Sequence, residues 1–553
     1  MIKKISLFLL SFLIGIVFSF NQANACSNFI VTKNASVDGS TMLSYAADSH
    51  DLYGELYFWP AATYPEGTML DVHEWDTGKY LGQIKQAPQT YSVIGNMNEY
   101  QLSIAETTFG GRSELQDTTG LIDYGSLIYI TLQRAKTARE AIQTIADLVD
   151  EYGYYSSGES FSIVDPEEAW IMEIISKGPH NKGAVWVAVK IPDGYVSSHA
   201  NQARITTFPL KDKENCLYSQ DVISFAREKG YFDGKNKDFS FADAYAPLDF
   251  GALRFCEARV WSAFRLVNKD MDKYIDYAKG ESTERMPLYI KPDRKLSQRD
   301  VMNIMRDHYE GTELDMTQDV GAGPFKVPYR FRPLTWKVDD QTYFNERAIA
   351  TQQSAFSFVA QMRSWLPRHI GGILWFGVDD AASSVYMPMY CGIKEVPHCL
   401  AEGNGDLLTF TWDSAFWVFN WVANQAYGRY SYMIEDINKV QNELEDKFIS
   451  YTSAIDQAAK AMHDQNPDLA RDFLTEFSNS QADLTMKRWK KLGEFLQVKY
   501  LDGNLHQEVN GKFLRNPHGN PKHATFPGYS EKYYRNVVKE TGDKLKMKEL
   551  PKK

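Results

Sequence analysis

The chain has 553 residues, enough at roughly 150 residues per domain for three or four domains or one large catalytic unit. Hydrophobic residues make up 44% and aromatics 14%, which supplies a packed core and excludes a disordered chain. A formal charge of −11 excludes a whole-chain basic footprint for nucleic acid.

Residues 1–25 read as an export signal. Lys3 and Lys4 form a short positive start, an apolar run follows over 5–20, and Ala23-Asn24-Ala25 supplies the small residues that signal peptidase accommodates. The run is short for a membrane span of ~20 residues, and no later stretch is long and apolar enough to be one. The expectation is an exported protein, periplasmic or secreted, with no stable membrane insertion after cleavage.

From Cys26 the sequence alternates as a strand does, and Asp38-Gly39 marks a hairpin turn into a second strand over 40–45. A further hairpin is expected around 91–107 with its turn at 96–99. Apolar residues at helical spacing predict a helix over 136–151, and strands are expected over 160–164, 169–174 and 184–191. Residues 415–500 read as helix-rich, with runs over 434–449 and 457–463 free of Gly and Pro. Beyond Gly503 the tail is polar, Lys-rich and interrupted by Pro517, Pro521 and Pro527. The division this suggests is a signal peptide over 1–25, an α+β catalytic body over 26–400, and a C-terminal helical region with polar tail over 401–553.

Cleavage after Ala25 makes Cys26 the first residue, its thiol and a free α-amine carried on one carbon. An α-amine has a pKa of roughly 7.7–8.0, so part of it is neutral near pH 7 and can take the thiol proton. One residue then supplies nucleophile and general base. Two plainer readings compete: a lipid-anchored cysteine, for which Ala23 stands where an apolar Leu is usual, and a leader cut elsewhere that leaves an ordinary buried thiol. The other cysteines are Cys216, Cys256, Cys391 and Cys399; the last two are spaced to close a short loop, although spacing alone leaves connectivity open.

The stretch Cys26-Ser27-Asn28-Phe29-Ile30-Val31-Thr32-Lys33, continuing to Asp38-Gly39-Ser40-Thr41, resembles the mature start of the bacterial dipeptidase A and secernin family. These are N-terminal-nucleophile cysteine hydrolases, related more distantly to choloylglycine hydrolases and penicillin V acylase. The resemblance continues at Met97-Asn98-Glu99, Ala105-Glu106-Thr107-Thr108, Asn201-Gln202-Ala203-Arg204-Ile205 and Glu257-Ala258-Arg259-Val260-Trp261-Ser262. It is clearest from Trp375 to Tyr390 and so spans most of the mature chain. It implies an α+β fold, a four-layer αββα sandwich with a C-terminal helical portion, and hydrolysis of dipeptides or other short peptides. Carried over residue by residue, Cys26 matches the nucleophile and Asp48 the acid that holds the amine. Asn201 matches the asparagine that orients the amine or donates to the oxyanion, and Arg259 the arginine that balances charge. Thr108 stands where relatives place an oxyanion-hole asparagine, and Glu106 is placed to bind the substrate's amine. One departure stands out: Tyr45 occupies the position three before the acid where relatives carry arginine.

Each supporting residue also has a structural reading: Asp48 as a cap, Asn201 as a turn former, Arg259 as a surface ion pair, Glu106 as a buried hydrogen-bonding group. The Asp379-Asp380 pair reads as a structural loop, since no His cluster accompanies it. There is no His-Glu-x-x-His metal motif, phosphate-cradling Gly-rich loop, Gly-x-Ser-x-Gly elbow or papain-type cysteine context. Hydrolysis without cofactor or metal is the economical expectation. The implied partners are a short-peptide substrate and signal peptidase for maturation, with no nucleic acid; a homo-oligomer is left open. Two other functions fit the same residues: an amidase on acylated amines of the penicillin or bile-salt type, and a catalytically decayed surface or binding protein.

Overall fold

The structure, a computed structural model, describes residues 26–550. The leader read at 1–25 lies outside the described residues. The chain is mixed α+β, organised around two large antiparallel sheets. The first has seven strands in the order Tyr289–Ile290, Val196–His199, Ser27–Val31, Thr41–Asp48, Ser354–Met362, Gly372–Val378 and Met387–Tyr390. The second has eight, in the order Cys216–Tyr218, Ala184–Lys190, Ala169–Ser176, Gly158–Val164, Ser103–Gly110, Met97–Asn98, Val93–Ile94 and Phe58–Trp59.

Patterning explains the central strands. Ser354–Met362 is buried at every position and carries Phe356, Phe358, Val359 and Met362, the near-continuous apolar run of a strand covered on both faces. The two sheets contact each other through Ser27–Val31 and Thr41–Asp48 on one side and Ser103–Gly110 and Gly158–Val164 on the other. Part of this contact is polar. His199 from the first sheet hydrogen-bonds Thr107 Oγ1 at 2.8 Å and Ser162 Oγ at 2.6 Å on the second. Burial pushes the His199 pKa down to about 3, so this ring is a neutral strut.

Helix Ala138–Tyr152 packs on the second sheet. Thr137 caps it by accepting from the Glu140 N–H, and Gly153 at φ 79° ends it. Its buried stripe of Ala141, Ile142, Ile145, Ala146, Leu148 and Val149 joins helix Tyr124–Leu132 in a core with Ile104, Phe161, Ile163, Trp170 and Met172. Three helices, Ala415–Tyr427, Tyr430–His463 and Pro467–Lys499, pack against one another, and helix Pro467–Lys499 lies on strand Met387–Tyr390.

The helix expected at 136–151 and the strands at 160–164, 169–174 and 184–191 match observed elements within two residues at each end. The hairpin expected at 91–107 differs. Val93–Ile94 and Met97–Asn98 form one tight hairpin, and a second turn leads from Asn98 into Ser103–Gly110. Asn98 closes that second turn, its Oδ1 accepting from the N–H groups of Tyr100 and Leu102. The loop closure considered for Cys391 and Cys399 does not occur: all five cysteines are free, and the Cys391 thiol donates to the Arg368 carbonyl at 3.1 Å. The two helical runs at 434–449 and 457–463 belong to one helix, Tyr430–His463, because nothing between them breaks the ladder.

Candidate active site

Cys26 immediately precedes the strand Ser27–Val31, whose pairing of Ser27 with Ala46 and Asn28 with Tyr45 sets it beside the end of Thr41–Asp48. On the other side Asn28 pairs with His199, so the chain two residues later returns Asn201 to Cys26. Asn201 sits at φ 60°, a conformation asparagine tolerates better than most residues. Its Oδ1 accepts from the Cys26 nitrogen at 2.8 Å, and its Nδ2 donates to the Thr108 carbonyl at 2.7 Å. That carbonyl is available because strand Ser103–Gly110 pairs with Met97–Asn98 only at Ser103, leaving the rest of that edge facing the site.

Arg259 ties these pieces together. It comes from helix Ala258–Arg265, which continues from a π-helical turn over Ala252–Glu257. Its Nη1 donates to the Cys26 carbonyl at 2.6 Å and to Ser27 Oγ at 2.8 Å; its Nη2 donates to Asn201 Oδ1 at 2.9 Å. The guanidinium is almost wholly buried, so its rigid fork fixes the start of the first strand against the Asn201 loop.

The thiol faces acid. Cys26 Sγ donates to Glu106 Oε1 at 3.4 Å and lies 3.5 Å from Tyr45 Oη. The Tyr45 hydroxyl also donates to Glu106 Oε1, and its ring is held between Phe356 and Phe358, with centroids 5.8 and 5.6 Å away. Burial, then the charges of Glu106 and Asp48, push the Cys26 thiol well above its usual range. At rest it is therefore protonated, and a base must take its proton for it to attack.

Glu106 belongs to a larger acidic wall. Ile104, Glu106 and Thr108 share one face of their strand, the face that Ile104 contributes to the core under helices Tyr124–Leu132 and Ala138–Tyr152. Glu159, paired opposite Thr108, points the same way and accepts from Thr108 Oγ1 at 2.8 Å. Among the described residues no group donates a hydrogen bond to Glu106 Oε2 or Glu159 Oε2, both of which are buried. Burial and the neighbouring Glu106 hold the Glu159 carboxyl well above the usual range. Tyr124, which donates to Asp76 Oδ1 at 2.8 Å, completes the wall, and burial raises Asp76 to about 6.

The opposite flank is basic. Asp48 is buried, accepting from Arg347 Nη2 at 2.9 Å and from Ser354 Oγ at 2.6 Å. Burial raises it to about 6 against the opposing pull of Arg347, Ser354, Arg259 and Arg332. Arg347 and Arg332 also line a small cleft open to solvent at this flank.

The structure thus gathers Cys26, Tyr45, Asp48, Glu106, Asn201 and Arg259 from positions up to 233 residues apart. Two placements differ from the reading by resemblance. The Cys26 nitrogen is held by Asn201, while the Asp48 carboxylate is taken up by Arg347 and Ser354. The Thr108 hydroxyl is engaged by Glu159 and its carbonyl by Asn201. Sequence reasoning missed Glu159, Asp76, Tyr124, Arg347 and Ser354. Only pairing register could have pointed to two of them, since Glu159 opposes Thr108 and Ser354 opposes Asp48. Asp379 and Asp380 lie apart in a structural loop: Asp379 accepts from Asn420 and Asp380 from Tyr329 and Tyr427.

Residues 25–443 match the model of the family described as Peptidase family C69. A probable dipeptidase of Salmonella dublin is 26% identical over 394 residues, 68% of this chain and 80% of the relative. A probable dipeptidase of Latilactobacillus sakei is 25% identical over 494 residues, covering 84% and 94%. Probable dipeptidase B of Streptococcus pyogenes serotype M1 is 23% identical over 513 residues, covering 89% and 96%.

Proposed function

The chain belongs to peptidase family C69, and from that premise we propose that it is an exported cysteine dipeptidase whose nucleophile is Cys26, made N-terminal by signal peptidase. The observation that carries the reading is the hold on the Cys26 nitrogen: Asn201 Oδ1 accepts from it at 2.8 Å and is itself fixed by Arg259. In the full chain that nitrogen is an amide; after removal of residues 1–25 the same atom is the α-amine. The relatives' dipeptidase names and the two facing sheets with helices packed against them support the same reading, an αββα N-terminal-nucleophile sandwich over 26–400 extended by the helices beyond. The Ala-x-Ala leader supports a periplasmic or secreted location.

The mechanism follows from the geometry. The neutral α-amine takes the Cys26 thiol proton, directly or through one water, and the thiolate sulfur attacks the scissile carbonyl carbon. The protonated amine then passes its proton to the leaving nitrogen, the C–N bond breaks, and a thioester remains on Cys26. Water attacks the thioester, gives its proton to the amine, and the sulfur leaves and is reprotonated. Glu106 accepts the substrate's α-ammonium, whose nitrogen lies about 2.5 Å from the scissile carbon. A carboxylate 3.4 Å from the sulfur is within reach of that nitrogen during attack. The Tyr45 phenol, 3.5 Å from the sulfur, is a donor for the developing oxyanion once the ammonium occupies Glu106.

The test is hydrolysis of a free dipeptide by mature protein and by Cys26→Ser. The variant should lose turnover by several orders of magnitude with an unchanged circular dichroism spectrum. Wild-type turnover in the variant would refute the assignment of the nucleophile.

A further inference from the structure

We propose that Arg332 is the anchor for the α-carboxylate of a free dipeptide, the group that restricts cleavage to substrates ending one residue beyond the scissile bond. This rests on the dipeptidase reading above and specifies how that site selects its substrate.

The two flanks of Cys26 carry opposite charge. Glu106 lies on one, beside Glu159 and Asp76, and in the mechanism above it holds a dipeptide's ammonium. Arg347 and Arg332 lie on the other, along a small cleft open to solvent. A zwitterionic dipeptide matches this polarity in one orientation only. Its carboxylate follows the scissile carbonyl by a single residue, a reach of about 3.5 Å.

Of the two arginines, Arg347 is committed: it is buried and its Nη2 is bonded to Asp48. Arg332 is different. It is accessible at the cleft wall, and among the described residues it forms no ion pair within 4 Å. Its charge is nonetheless close enough to interact with Asp48 and Arg259. The guanidinium is oriented in advance. Its Nε and Nη2 donate to Gln353 Oε1 at 3.1 and 2.8 Å, and Gln353 is itself buried. That grip occupies one edge of the fork and leaves the Nη1–Nη2 edge for a second planar acceptor. A carboxylate is the group whose geometry fits that edge with two parallel hydrogen bonds. A tripeptide would carry its carboxylate another residue outward, past this edge.

The experiment compares a free dipeptide with the same dipeptide as its C-terminal amide, in wild-type protein and Arg332→Gln. Wild-type protein should favour the free acid by roughly ten- to a hundred-fold in kcat/KM, the worth of one charged hydrogen-bonded pair, with the difference mainly in KM. In Arg332→Gln the acid-to-amide ratio should fall towards one, and Arg332→Lys should restore part of it. Equal cleavage of acid and amide by wild-type protein, or an unchanged ratio in Arg332→Gln, overturns the assignment and leaves the dipeptidase reading standing. A wild-type protein that cleaves N-acylated amines but neither dipeptide overturns that reading and this assignment together.

Discussion

Glu106→Gln separates two roles of one carboxylate, because they push two observables in opposite directions. In the resting site Glu106 Oε1 lies 3.4 Å from the Cys26 sulfur, and after burial its charge is the largest influence holding the thiol protonated. Two unit charges at that separation interact by about 5 kcal/mol at an effective dielectric near 20. If only a third of that is realised, the thiolate fraction changes about tenfold. Glutamine keeps an oxygen to accept from Tyr45 while removing the charge, so iodoacetamide should alkylate Cys26 at pH 7 about tenfold faster or more. The same change removes the anion that holds the substrate's ammonium. Free dipeptide hydrolysis should therefore fall by roughly ten- to a hundred-fold in kcat/KM. A peptide lacking the ammonium, such as an N-formyl dipeptide, should lose far less. The assay is peptide-resolved mass spectrometry of the alkylation rate beside steady-state kinetics on both substrates. Parallel loss of alkylation and of turnover on both substrates would refute the reasoning, because it would mean that Glu106 only supports the local fold.

Other outcomes follow from the same geometry. Tyr45→Phe removes a hydrogen bond that lowers the thiol pKa, so Cys26 alkylation should slow and kcat should fall with little change in KM. The pH dependence of kcat/KM should rise with an apparent pKa of roughly 7.7–8.0, that of an α-amine, and N-terminal acetylation should abolish activity across the range. Burial holds the Asp379 carboxyl at about 8, so its neutral form favours the folded state below the unfolded value of 3.8, and that advantage is lost as pH rises to about 8. Asp379→Asn, which keeps an acceptor for Asn420, should accordingly raise Tm relative to wild type by more at pH 9 than at pH 5.

How much of this was legible in the sequence depended on whether a feature is local. Helix Ala138–Tyr152 announces itself by an apolar stripe between Thr137 and Gly153, and strand Ala169–Ser176 by a compact apolar run beginning just after Asp165-Pro166. The candidate site is not local. Asn201 reaches Cys26 across 175 residues and Arg259 across 233, so only the family resemblance, not spacing, could group them. Tyr45 was visible as a departure, yet its partner Glu106 lies on the other sheet and no pattern in either segment joins them. Glu159 is plainer still: as an acidic residue in a buried strand it looks out of place until its pairing with Thr108 is known. Arg332 sits in an irregular stretch whose meaning comes from Gln353 and the cleft wall, neither of which periodicity reports.

The central claim is that the Cys26 nitrogen, held by Asn201, acts as a free α-amine. It is tested most directly by preparing two proteins, one beginning at Cys26 and one carrying a single alanine before it, and measuring single-turnover hydrolysis of a dipeptide. Full activity is expected in the first and a loss of at least about a hundredfold in the second, with the same thermal stability, because an amide cannot take the thiol proton. Equal rates in the two proteins would contradict it and place the base elsewhere in the site.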